Sequence, residues 1–79
     1  MQQELTPDLV LEHVAKALGV PTEEITHSES LLDQGMDSIR LMSLVERWRA
    51  HGIETDFATL AEEPTLQAWQ KILTNHRPT

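Results

Sequence analysis

The 79-residue chain carries six Lys and Arg against thirteen Asp and Glu, a formal charge of −7, and no cysteine; a length and apolar content of this order suit one small core but no deep cleft of converging catalytic groups. The acidic balance opposes binding to a nucleic-acid backbone, the lack of thiols excludes disulfides and thiolate metal sites, and no segment has the roughly 18 continuous apolar residues of a membrane span. Met1-Gln2-Gln3-Glu4 also lacks the basic and apolar runs of a secretory signal, so a monomeric, soluble cytoplasmic domain over 1–79 is expected, its core spanning about 6–74.

Charge divides unevenly: residues 1–37 hold eight carboxylates and one base, Lys16, whereas 38–79 hold five of each. Apolar residues recur with helical rather than alternating periodicity. Thr6-Pro7-Asp8 reads as a helix start, a capping side chain followed by proline in the first position and a carboxylate at the positive dipole end. Leu11, Val14, Ala15 and Leu18 then form one face, and Gly19 with Pro21 ends the helix. Residues 20–37 read as a long connection pinned by Val20, Ile25, Leu31 and Leu32; connections of this length in small domains tend to be functional. The connection closes on Asp33-Gln34-Gly35-Met36-Asp37, a turn in which Gly35 is free to adopt positive φ.

A second helix is expected from Ser38 to about His51, with Leu41, Leu44, Val45 and Trp48 inward and Gly52 as the stop. Phe57, Ala58, Leu60 and Ala61 suggest a short third helix. Thr65 caps a fourth whose inner stripe is Leu66, Trp69, Ile72 and Leu73, and the tail 75–79 is expected to fray. The sum is an all-α, four-helix bundle with a long first connection.

Ser38 carries the chemistry. It lies where a glycine turn meets a helix N-terminus, so its hydroxyl is aimed outward, and the free amides and dipole of the helix tip favour a phosphate diester on that oxygen. Taken alone, serine in such a position is more often an N-cap. Its surroundings tell against that use. Leu31-Leu32-Asp33-Gln34-Gly35-Met36-Asp37-Ser38-Ile39 resembles the attachment motif of acyl, peptidyl and aryl carrier proteins, Leu-x-x-x-Gly-hydrophobic-Asp-Ser-hydrophobic at the start of the second of four helices. The resemblance spans about residues 8–74 and implies that Ser38, preceded by the motif residue Asp37, receives a 4′-phosphopantetheine arm from coenzyme A.

Arg40, Arg47 and Arg49 make the second helix basic, unlike that of fatty-acid carriers. Val45-Glu46-Arg47-Trp48-Arg49, Phe57 and Pro64-Thr65-Leu66-Gln67-Ala68-Trp69 look like the aryl carrier domains of siderophore nonribosomal peptide synthetases. That resemblance implies a cycle in which a phosphopantetheinyl transferase installs the arm. An aryl-adenylating ligase then loads 2,3-dihydroxybenzoate or salicylate as a thioester, and a condensation or cyclisation domain takes it; the chain itself is not an enzyme. The resemblance also maps a docking patch for the downstream enzyme onto Met42, Phe57 and Ala61. Ile39 and Met42 are expected to face solvent beside Ser38, and Arg40 is a candidate ligase contact. Against these stand plainer readings: Ile39 and Met42 filling a gap under the loop, Phe57 as core, and Arg40 as a solvated side chain. A carrier for another acyl group, or an unmodified helical interaction module, remain the alternative functions. Neither metal binding by His13, His27, His51 and His76, which lack ligand spacing, nor a hydrolase role for Ser38, which lacks a G-x-S-x-G context, is expected.

Overall fold

The computed structural model describes residues 5–74, and within them the chain forms α1 (Pro7–Leu18), α2 (Ser38–Ala50), α3 (Phe57–Glu62) and α4 (Leu66–Thr74), with two 3-10 turns, Thr22–Glu24 and Leu31–Gln34, in the long connection. Among the described residues the β component is one isolated bridge, Ser30 to Thr65. The expected all-α, four-helix arrangement is what forms. The tail 75–79 with His76, and the start 1–4, lie outside the described residues.

Each helix begins on a side chain that takes up a first-turn amide. Thr6 Oγ1 accepts from the Leu9 N–H at 3.2 Å, with Pro7 in the first position. Asp56 Oδ1 accepts from Thr59 N–H at 2.8 Å, and Thr65 Oγ1 accepts from Ala68 N–H at 3.1 Å. At the other end of α1, Gly19 takes φ 75° and donates its N–H to the carbonyls of Ala15 and Lys16.

α1 packs chiefly on α4 and also on α2, while α3 lies against α2. The predicted faces are right in register but shifted in depth. In α1 the deepest residues are Val10, Val14 and Ala15, with Leu11 and Leu18 only partly buried; in α4, Leu66, Trp69 and Leu73 are deep and Ile72 is partly covered. The inner face of α2 is as expected: Leu41, Leu44, Val45 and Trp48. In the connection Ile25 and Leu31 are buried and Val20 is partly so, but Leu32 is 55% exposed and pins nothing. The tight 3-10 turn points Leu31 inward, and its neighbour one-third of a turn further on points away.

Trp48 and Trp69 are fully buried and meet edge-on, ring centroids 6.2 Å apart at 82°. Their indole N–H groups are both satisfied. Trp69 Nε1 donates to the Leu60 carbonyl at 2.9 Å, which ties α4 to α3; Trp48 Nε1 donates to His13 Nδ1 at 2.9 Å, which ties α2 to α1. A buried donor left without a partner costs about 1–3 kcal/mol, so these two bonds fix how the bundle closes. His13 also stacks on Trp48, centroids 6.3 Å apart.

Trp48→Ala removes the largest side chain of α2 from a fully enclosed position and is expected to cost about 3–5 kcal/mol, much of the stability of so small a domain; a denaturant midpoint close to that of the wild type would refute this placement of the core. His13 accepts at Nδ1, so it must be neutral in the folded chain. Burial first, then the positive charge of Arg47, holds its pKa below the ordinary 6.5, with Glu12 opposing. The unfolded chain therefore binds the proton more readily, and stability that is complete above about pH 6.5 is lost as pH falls through the lowered folded value. Denaturant midpoints measured across this window are expected to decline towards acid in the wild type and to do so less steeply in His13→Gln.

Candidate functional site

The site is built by the last stretch of the long connection. Leu31 and Met36 are both buried, and the Met36 N–H returns to the Leu31 carbonyl at 3.0 Å. Between them Gly35 closes the 3-10 turn with φ 114°. A Cβ there would meet only Leu18 Cδ2 at 3.7 Å, so space is not the constraint; the backbone angle is what calls for glycine.

Two further contacts hold the connection in shape. Leu31 N–H donates to the Pro64 carbonyl at 2.6 Å, and Gln67 N–H donates to the His27 carbonyl at 3.0 Å, docking the connection onto the start of α4. The Gln34 side chain then staples the connection to itself. Its carbonyl oxygen accepts from Thr26 N–H at 2.9 Å, and its amide group donates to the carbonyls of Thr26, Glu29 and Ser30 at 3.1–3.3 Å. Gln34 was not recognisable from sequence as an organising residue, because its partners are main-chain atoms brought near only by the finished turn.

The chain surfaces at Asp37 and enters α2 at Ser38. Asp37, not Ser38, is the N-cap: its backbone is extended (φ −137°) and its Oδ1 accepts from Arg40 N–H at 2.9 Å. The capping use considered for Ser38 is therefore ruled out. Ser38 occupies the first helical position with an exposed side chain. Arg40 is not a merely solvated side chain either. Its Nη1 meets Asp37 Oδ2 at 2.7 Å and its Nε donates to the Ala17 carbonyl at 3.0 Å, so it joins the tip of α2 to the end of α1. The Arg40 amide, and then the Arg40 charge, hold the Asp37 carboxyl below its ordinary 3.8.

Beside Ser38 runs a shallow groove lined by Ile39, Met42, Ser43 and Glu46. Ile39 is 79% exposed and Met42 47%; neither fills a gap under the loop. Ser43 and Glu46 are additions to the residues singled out from sequence. Ser38, Met42 and Glu46 follow one another at i, i+4 and i+8, so the helical wheel would have disclosed the stripe. Of the remaining docking candidates, Ala61 is exposed, whereas Phe57 is half-buried and packs on the core. The groove that holds Met42 reaches neither.

This arrangement suits a phosphodiester on the Ser38 oxygen. The hydroxyl is open to solvent, the first-turn amides and dipole favour an anion there, and the one carboxylate adjacent in sequence is neutralised by Arg40.

Residues 8–71 match the family described as phosphopantetheine attachment site. The chain is 48% identical over 69 residues to the isochorismatase of Bacillus subtilis, an alignment covering 87% of this chain and 22% of that protein. It is 48% identical over 68 residues to the phenyloxazoline synthase MbtB of Mycolicibacterium paratuberculosis, covering 86% and 6%, and 45% identical over 69 residues to the pyochelin synthetase PchE of Pseudomonas aeruginosa, covering 84% and 5%. The chain thus spans less than a quarter of the length of any of these relatives. Since the family match runs from α1 into α4 and takes in the whole turn at Gly35, the chain belongs to the phosphopantetheine-attachment family, whose members are carrier domains bearing a 4′-phosphopantetheine group.

Proposed function

We propose that Ser38 is the residue that takes the arm, that residues of about 6–74 make up one carrier unit, and that the cargo is an aryl acid bound for a siderophore. The observation that carries the assignment is the division of labour at the tip of α2. Asp37 performs the capping, Arg40 balances its charge, and the Ser38 hydroxyl is left exposed with no structural task. When bound, the arm supplies a terminal thiol on a flexible tether, able to hold an acyl group as a thioester. The chain's own residues supply the rest. Ser38 offers the oxygen that is esterified, the turn at Gly35 keeps that oxygen clear of the bundle, and Ile39 and Met42 offer apolar surface to whatever enzyme approaches. Met in particular adapts to several partners in turn.

The aryl reading is supported by the relatives, one named for a phenyloxazoline and one for pyochelin, and by the basic character of α2. It makes 2,3-dihydroxybenzoate or salicylate the candidate cargo and an aryl-adenylating ligase the loader. A phosphopantetheinyl transferase acts before that ligase and a condensation or cyclisation domain after it. Carrier domains of this family are typically non-catalytic, and no reaction is assigned to this chain. Among the described residues no helix is long and apolar enough to cross a membrane.

Incubation with coenzyme A and a promiscuous phosphopantetheinyl transferase is expected to raise the intact mass of the wild type by one phosphopantetheine group and to leave Ser38→Ala unchanged. A mass gain in Ser38→Ala would move the attachment point elsewhere. The arm-bearing protein should then form a thioester with an aryl-acid ligase and not with malonyl or amino-acid loaders; the converse pattern would replace the aryl cargo by another acyl group. Because Asp37 is the cap, Asp37→Ala is expected to lower the melting temperature more than Ser38→Ala does. Its depressed pKa means that the carboxylate's contribution is complete above about pH 3.8 and is lost as pH falls through the folded value. The difference in melting between wild type and Asp37→Ala should therefore shrink in strong acid.

A further inference from the structure

A second groove, between α1 and α2, shares Ile39 and Ser43 with the Ser38 groove. Lys16 lines it from α1, and Arg40 and Arg47 line it from α2, with Ala17, Ile39 and Leu44 as apolar wall. In a chain of charge −7, the one base of the first 37 residues has been brought together here with two of the three arginines of α2. Arg40 is occupied by Asp37, the only ion pair among the described residues. Lys16 and Arg47 are both exposed and have no carboxylate partner among the described residues; Glu12 and Glu46, close to them in sequence, do not pair with them. The two cations also reach the neighbouring His13, where burial, then Arg47 and His51, and last Lys16 disfavour the protonated ring while Glu12 opposes them.

We propose that this groove docks an acidic segment of the enzyme that loads the arm, carboxylates meeting Lys16 and Arg47 and an apolar side chain resting on Ala17 and Ile39. Charge complementarity argues for the occupant. Two cations with no ion-pair partner among the described residues flank an apolar strip on an otherwise acidic molecule, so a partner surface of the opposite sign is attracted here and repelled by most of the remaining surface. Position argues for the loading step, because this groove adjoins that of Ser38 through Ile39 and Ser43 and a partner seated here has its own site within reach of the tether. The inference rests on the carrier reading above and names the surface by which its loader is recognised.

The test uses the full chain bearing its arm, an aryl-acid ligase as the probe, and steady-state loading kinetics. Lys16→Glu/Arg47→Glu is expected to raise KM for the carrier about tenfold with kcat unchanged, as loss of an electrostatically guided encounter does, and Lys16→Gln/Arg47→Gln to fall between it and the wild type. Wild-type KM should climb with added salt, a dependence that screening imposes on charge-guided association and that the Glu variant should lack or invert. The salt series needs no mutant and so stands even if the charge-reversed chain folds poorly. A wild-type KM indifferent to salt, or a folded Glu variant with unaltered KM, would overturn the docking proposal alone. Arm-bearing wild type that aryl-acid ligases do not load overturns the aryl assignment and this proposal with it.

Discussion

Leu31 and Met36 are both buried, only five residues apart, and the chain must reverse between them and then reach solvent within one further residue. The hydrogen bond from Met36 N–H back to the Leu31 carbonyl and the positive φ of Gly35 accomplish the reversal. Asp37 completes it by capping the helix that the emerging chain immediately enters. What is presented at that helix tip is settled by this constraint. Two apolar anchors fix where the turn sits, and the first helical position after the cap is left pointing outward. The bundle beneath supplies a rigid seat, with α1, α2, α3 and α4 cross-tied through Trp48 to His13 and Trp69 to Leu60.

Most of this was legible in the sequence where local chemistry decides the outcome. The caps at Thr6 and Thr65, the glycine ends, the inner face of α2 and the exposure of Ile39 and Met42 follow from propensity and helical period. What sequence did not disclose depends on tertiary approach. Leu32 looked as much an anchor as Leu31 because an apolar pair in an irregular segment has no period to say which one turns inward. Ser38 and Asp37 are both good capping residues, and only the extended backbone at Asp37 distinguishes them. By its position alone Arg40 reads as a ligase contact or a solvated side chain. Its bond to the Ala17 carbonyl arises because the end of α1 and the start of α2 are adjacent in space, 23 residues apart in the chain.

The two sides of Ile39 differ in character. Toward Ser38 and Glu46 the surface is mostly apolar with an adaptable methionine; toward Lys16 and Arg47 it is cationic. A carrier has to be met by several enzymes in succession, and each must release it. Distinct faces around the proposed attachment point let those encounters be tuned separately, since a change in charge on one side need not disturb apolar contact on the other.

The stretch from Thr26 to Glu29 is gripped through its main chain. The Thr26 amide and carbonyl and the Glu29 carbonyl are held by Gln34, and the His27 carbonyl is held by the Gln67 amide, while the four side chains face outward. Their identities are therefore decoupled from the shape of the segment. Swapping them rewrites a patch of surface without redrawing its outline, which makes these positions a natural place to re-address such a scaffold to a new client.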